Sequence, residues 1–246
     1  MEATRRVLLE IAVDSVDDAR AAERYGADRI ELSRNLAAGG FTPDAETLSA
    51  VRAAAHVPLM ILIRPHTAGR VPDAGLDVPF AGDFRYSAED IARIADEAAA
   101  AVSLGVDGIV VGALDGQGRV HESHCRMLIE RCAGRAAVFH RAFDLTPDPL
   151  EALERLFDLG FARILTSGRA RRVDDADALE LLARLNDRAA GKIEILPCGG
   201  IRPHNAATIV AATDCHQLHS ACRRAGEDRL DVQMLSELRA AIDRAT

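Results

Sequence analysis

The sequence is poor in several residue types, and each shortage removes a class of function. Of its 246 residues only one is a lysine, Lys192; every other basic residue is arginine. Schiff-base chemistry needs a lysine in the site. A nucleotide-binding phosphate loop needs Gly-Lys-Ser/Thr, and here Gly191-Lys192 is followed by Ile193. Tryptophan is absent and aromatic residues are 4%, so the core must be built from Leu, Ile, Val and Ala. The five cysteines, Cys125, Cys132, Cys198, Cys215 and Cys222, are odd in number and form no Cys-x-x-Cys pair. They read as free thiols of a reducing cytoplasm. No apolar run reaches transmembrane length, and Glu10 interrupts the apolar stretch behind the basic start, so neither a membrane span nor a secretory leader is expected. A net charge of −8 argues against a nucleic-acid partner.

What is present is alternation. Short β-rich runs, Leu8–Val13, Arg29–Leu32, Leu59–Ile63, Gly108–Val111, Ala137–His140, Arg163–Thr166, Glu194–Pro197 and Gln217–His219, are separated by Ala/Leu/Arg/Glu stretches of helical period. Ser15 with Asp18, and Ser87 with Asp90, resemble capping boxes. Thr42-Pro43 and Asp148-Pro149 each place a cap residue before a proline at the first helical position. Gly26, Gly105 and Gly160 stop helical runs just before strands. Eight such units in this length are about 31 residues each, and a (β/α)8 barrel takes about 250 residues in all. A doubly wound sheet would show Gly-x-Gly-x-x-Gly after the first strand, where this chain has Val13-Asp14-Ser15-Val16. The expected fold is therefore α/β, a single TIM-like barrel of parallel strands over residues 1–246. The run from Arg64 to Gly82, with three prolines, is expected to be an enlarged loop after strand 3.

Barrel strands alternate between lumen and helix layer. If Leu9, Ile11 and Val13 face the helices, then Glu10 faces inward. The same parity sends Glu31, Arg64, His140, Thr166, Gln217 and His219 into the lumen, from six strands. Unpaired buried charge is costly, so such a set is either mutually paired or filled by water or ligand. Glu10, Glu31, Arg64 and His140 are the candidate catalytic residues: two carboxylates for acid and base, an arginine to clamp an anion, and an imidazole to move a proton or polarise a carbonyl. The turns after strands 6 to 8 supply Thr166, Ser167, Gly199, Gly200 and Ser220 as a candidate anion site, because bare backbone N–H groups can approach an anion there. Glu10, Glu31, His140 and His219 form a mixed O/N set that would suit a divalent ion such as Mn²⁺ or Zn²⁺. Cys215-His216-x-x-His219-x-x-Cys222 looks like a metal motif, but parity puts its two histidines on opposite faces. Lys192 precedes strand 7, at the wrong end of the barrel for a class I aldolase.

Several runs together resemble the CutC family. They are Leu8-Leu9-Glu10-Ile11, Gly26-Ala27-Asp28-Arg29-Ile30-Glu31-Leu32, Ile63-Arg64-Pro65, Gly82-Asp83-Phe84-x-Tyr86-Ser87, Phe139-His140-Arg141-Ala142-Phe143-Asp144, Ile164-Leu165-Thr166-Ser167-Gly168 and His219-Ser220. The resemblance implies a cytoplasmic TIM-like barrel, commonly a homo-oligomer, with a role in copper homeostasis. Members proposed to bind Cu(I) carry cysteines at positions that here are Ala12 and Ser33, and neither supplies the soft sulfur that Cu(I) prefers. The alternative is an isomerase- or lyase-type enzyme acting on a small anionic, phosphorylated or carbonyl compound at the barrel mouth. A non-catalytic scaffold is the default if the lumen is a closed ion network.

Overall fold

The structure, a computed structural model, describes residues 6–65 and 84–244. Strands and helices alternate throughout: β1 (Leu8–Val13), α1 (Val16–Arg24), β2 (Arg29–Leu32), α2 (Ala45–Ala54), β3 (Leu59–Leu62), α3 (Ala88–Ser103), β4 (Gly108–Val111), α4 (Glu122–Arg131), β5 (Ala136–Phe139), α5 (Pro149–Leu159), β6 (Arg163–Thr166), α6 (Ala176–Ala189), β7 (Glu194–Pro197), α7 (Ala206–Thr213), β8 (Gln217–Ser220) and α8 (Val232–Asp243). Every ladder is parallel, in the order β7-β6-β5-β4-β3-β2-β1-β8. β7 and β8 pack side by side without sharing a ladder, which leaves one seam in an otherwise continuous wall. The long loop expected after strand 3 falls mainly on residues 66–83, outside the described residues, as does His66.

Two apolar layers hold the barrel. Outside it, Leu9, Ile11, Ile30, Leu32, Ile61, Ile109, Phe139, Ile164, Ile195 and Leu218 pack against helix residues such as Ile91, Ile94, Leu128, Leu156, Leu182 and Leu235. Each such buried side chain contributes about 1.5–3 kcal/mol. Inside, Met60, Leu62, Val110, Val138, Leu165, Leu196 and Cys198 form a separate plug. The plug comes from β3 to β7 and the residue after it. The polar lumen residues Glu10, Arg29, Glu31, Gln217 and His219 come from β8, β1 and β2, so the interior is apolar on one side and charged on the other. Gly108 makes the plug possible: a Cβ there would lie 2.1 Å from Met60 Cε and 2.7 Å from the Ala136 carbonyl oxygen. Gly108→Ala is expected to cost about 1–3 kcal/mol, the usual penalty of overpacking. Urea unfolding would measure it, and an unchanged midpoint would show slack in the lumen.

Ser15, Ser87 and Asp148 cap their helices, with Asp18, Asp90 and Glu151 N–H groups among the donors, and Gly160 closes α5 at φ +91°. Thr42 does not cap a helix. α2 begins at Ala45, and Asp44 accepts the Thr47 N–H at 2.7 Å. The Thr42 hydroxyl instead accepts from Arg64 N at 2.9 Å and donates to Glu97 at 2.8 Å, tying the end of β3 to α3. Parity also fails for Thr166. Leu165 is the residue of β6 that enters the plug, so Thr166 faces the helix layer. Among the described residues no helix is long and apolar enough to cross a membrane.

Candidate active site

The charged side of the lumen follows from strand register. Glu10 pairs across the ladders with Arg29 on β2 and His219 on β8. The Arg29 Nε–H donates to Glu10 Oε2, and His219 Nδ1 lies 2.7 Å from Glu10 Oε1. Arg29 Nη2 also donates to Gln217 at 2.8 Å. Towards the base of the barrel, Arg163 Nε donates to Glu194 at 2.6 Å. Burial pushes the Glu10 carboxyl up, but the charges of Arg29 and His219 and their hydrogen bonds outweigh it and hold it at about 2. His219 is shifted up: burial opposes protonation, but Glu10 and Glu31 favour the cation more strongly.

Glu31 is one strand further, and its environment is different. Its Oε2 is buried with no hydrogen-bond partner among the described residues. Burial raises its pKa to about 7; His219 and Arg29 pull against that shift and the neighbouring Glu10 charge adds to it. Two carboxyl groups on adjacent strands are thus driven to opposite ends of their range, which is the arrangement that separates a fixed anion from a working acid–base group.

His140 follows β5 at the mouth. Its Nδ1 accepts the Ala142 N–H at 3.2 Å, and its ring lies 4.5 Å from that of Phe84. Burial and the Arg64 charge lower its pKa to about 3, so at neutral pH the ring is uncharged. With Nδ1 accepting, the ring proton is on Nε2, which is buried without a partner among the described residues. Gly112 leaves room for this ring, since a Cβ there would be 2.7 Å from Nδ1. Arg64 Nη1 donates to the carbonyls of Gly39 (3.0 Å) and Gly40 (3.3 Å), with its guanidinium over Phe41 and Phe84.

These groups open into one cavity of about 290 Å³ at the C-terminal mouth. Of the residues expected there, Glu31, Arg64, His140, His219, Gly199, Gly200 and Ser220 line it, and Glu10 stands behind His219. Thr166 and Ser167 do not line it. Both bind Asp144, a fully buried carboxylate that accepts Thr166 Oγ1 (2.5 Å), Ser167 Oγ (3.1 Å), Ser167 N (3.2 Å) and Arg141 Nε (2.9 Å). The strand parity that turns Glu31 inward turns Arg29 inward too, and it is found there on Glu10; sequence parity missed Arg141, Asp144 and Arg202. Arg141 and Asp144 lie in the turn Arg141–Leu145, outside any strand, and Arg202 lies in the loop after β7. A larger cleft of about 480 Å³ lies between the loops before α4 and α5, away from the lumen charges.

One atom each from Glu10, Glu31 and His219 can come within 4.8 Å of one another, close enough for a divalent ion. His140 is not part of that group, contrary to the sequence expectation. Nor do the residues present fit Cu(I). Ala12 lines the cavity without a donor, and Ser33 offers only a buried hydroxyl. Cys198 is the one cysteine lining the cavity, and burial raises its thiol well above the ordinary range. Cys125, Cys132, Cys215 and Cys222 belong to the outer core.

Four similarities to known proteins are found. The model of the CutC family matches residues 7–224. A family protein CutC of Treponema denticola is 38% identical over 224 residues, 91% of this chain and 85% of that protein, and the human copper homeostasis protein cutC homolog is 38% identical over 219 residues, 88% and 73%. The crystal structure of the putative copper homeostasis protein CutC from Streptococcus agalactiae superposes with a TM-score of 0.76 at 25% identity, covering 87% of this chain and 98% of that one.

Proposed function

The chain belongs to the CutC family, and from that premise we propose that it serves copper homeostasis in a reducing cytoplasm through acid–base chemistry on a small anionic carbonyl compound. The names of its relatives support the physiological half of this reading, and five buried free cysteines suit the compartment. The chemical half is carried by one observation: Glu31 lines the cavity with its Oε2 buried and unpartnered among the described residues, while Glu10, behind His219, is hydrogen-bonded to Arg29 and His219. A general base works best with a pKa near the operating pH. Glu31 meets that condition, while Glu10 stays ionised and holds Arg29 and His219 in place. Glu31 takes a proton from the carbon beside the substrate carbonyl, and the His140 Nε2–H donates to the oxygen where charge develops. The reaction class is isomerisation, epimerisation or lyase cleavage. A divalent ion on Glu10, Glu31 and His219 is the second reading, favoured by their proximity. Against it, Glu10 is already hydrogen-bonded to both Arg29 and His219.

The test is solvent exchange. A set of small 2-oxo acids and sugar phosphates in D₂O is followed by proton NMR for loss of the signal beside the carbonyl. The parent protein is expected to exchange at least one of them, and Glu31→Gln to be slower by about 10²–10⁴-fold. Equal rates for the two proteins across the set would overturn the reading. Copper is tested separately, by anaerobic Cu(I) titration against bicinchoninate. The expected result is that the chelator keeps the metal and that Cys198→Ser changes nothing. Stoichiometric retention that Cys198→Ser abolishes would restore a thiolate copper site.

A further inference from the structure

We infer that the seam between β7 and β8 seats a phosphate group, and that the compound handled at the mouth is a small phosphomonoester. The placement of its reacting carbons rests on the acid–base reading above; the phosphate seat does not.

A strand inside a closed barrel gives its N–H and C=O groups to neighbours on both sides. β7 and β8 share no ladder, so their facing edges lack those partners. At the mouth this seam runs into Cys198-Gly199-Gly200 and Ser220-Ala221, and Gly199, Gly200, Ser220 and Ala221 all line the cavity. Among the described residues the backbone N–H groups of Gly199, Gly200 and Ala221 have no acceptor. Gly199 and Gly200 hold φ of +94° and +95°, which only glycine adopts freely, and a Cβ on Gly200 would meet nothing within 4 Å. Gly200 is therefore required by backbone direction and not by crowding, whereas a Cβ on Gly199 would also lie 2.9 Å from Ser167 Cβ. Successive N–H groups in such a turn form a cradle for an oxyanion.

Charge agrees with this. Arg202 lines the same cavity, and its guanidinium binds only the carbonyls of Ile201 (2.8 Å) and Arg223 (3.2 Å), so no carboxylate among the described residues neutralises it. Arg141 and Arg64 also line the cavity, and Glu31 is its one carboxylate among the described residues. The Ser220 hydroxyl donates to Ile201 O at 3.1 Å and accepts from Cys222 N at 3.1 Å, so it shapes the seat without donating to the anion. Several backbone donors beside a fork-shaped cation match the many acceptor oxygens of a phosphate better than the two of a carboxylate. The cavity, at about 290 Å³, is at the small end of ligand sites. Beyond the phosphate it leaves room for a short carbon chain, directed at Glu31 and His140. There the C–H bond beside the carbonyl breaks, its electron pair becomes the C=C bond of an enol, and the proton goes to Glu31. The carbonyl π pair moves onto oxygen, where the His140 N–H meets it. Return of the proton reverses the step, and no oxidant or reductant is consumed.

The probe is 2-phosphoglycolate, an enolate mimic that carries a phosphate, titrated calorimetrically beside glycolate. The parent protein is expected to bind 2-phosphoglycolate about 100-fold more tightly than glycolate, and Arg202→Gln to weaken 2-phosphoglycolate by about 10-fold or more while leaving glycolate unchanged. Ala221→Asp, which brings a carboxylate to the seam, is expected to weaken it further. Equal affinity for the two probes, or unchanged 2-phosphoglycolate binding in both variants, overturns the phosphate seat. Glu31→Gln separates the two proposals. If that variant loses exchange but the parent shows no phosphate preference, the seat fails and the acid–base reading stands. If the preference is present but exchange does not depend on Glu31, the acid–base reading fails and the seat stands.

Discussion

Glu31→Gln is expected to stabilise the protein at pH 8 by about 3 kcal/mol while stopping its proton chemistry. The ordinary pKa of this carboxyl is 4.5, and in the fold it is raised to about 7 by burial, with Glu10 adding to the shift. Between those two values the unfolded chain has released the proton and the folded protein still holds it. Stability therefore falls as pH rises through this window, and the penalty is complete above 7. Glutamine has nearly the same shape and no proton to lose, so the gain is absent at pH 4 and complete at pH 8. Urea unfolding at the two pH values measures it. An equal gain at both would mean better packing and not ionisation; a loss at pH 8 would mean that the ionised Glu31 is a stabilising partner. The same substitution removes the proposed base from the mouth. Stability and activity moving in opposite directions would mark Glu31 as a group kept for function at a cost to the fold.

The second large effect is expected at Asp144, which lies behind the mouth. Asp144→Asn should cost about 3–5 kcal/mol, the range for breaking one partner out of a buried ionic network. The carboxylate is fully buried and accepts from Arg141, Thr166, Ser167 and the Arg169 N–H, the last at 3.3 Å. Asparagine offers one acceptor oxygen and turns an NH₂ group toward donors that need an acceptor. The urea midpoint should fall with an unchanged slope, since the surface exposed on unfolding is the same. A midpoint equal to the parent's would show that the loop after β6 reorganises around the change. Arg141 lines the cavity, so the variant should also weaken 2-phosphoglycolate, by a smaller factor than it loses stability.

Much of the fold was legible because its rules are local. The strand segments read from β-rich runs coincide with the observed ones to within a residue at each end, and the capping sequences at Ser15, Ser87 and Asp148 work as their spacing implies. Period-two alternation along β1, β2 and β8 identified Glu10, Glu31, Gln217 and His219 as lumen residues, because only one face of each strand is apolar enough for the helix layer. Parity failed at Thr166 because β6 reads Arg163-Ile164-Leu165-Thr166, and two apolar residues in a row leave the phase undetermined. The capping rule failed at Thr42 because a Thr-Pro pair reads as a helix start wherever it stands, while Asp44, next to the first residue of α2, takes the cap.

By itself the sequence determined the class of chain: parallel β/α units, a charged lumen, almost no lysine, and few, scattered cysteines. Those properties depend on residue type and on neighbours a few positions apart. The chemistry of the site was decided by tertiary structure alone. Glu10 and Glu31 are the same residue type on adjacent strands, and what sends one down to about 2 and the other up to about 7 is which of them meets Arg29 and His219 directly. Arg29 is 19 residues from Glu10 along the chain and His219 is 209. The unladdered seam behind Gly199 and Gly200 is likewise invisible in the chain, because it records how the last two strands meet when the barrel closes.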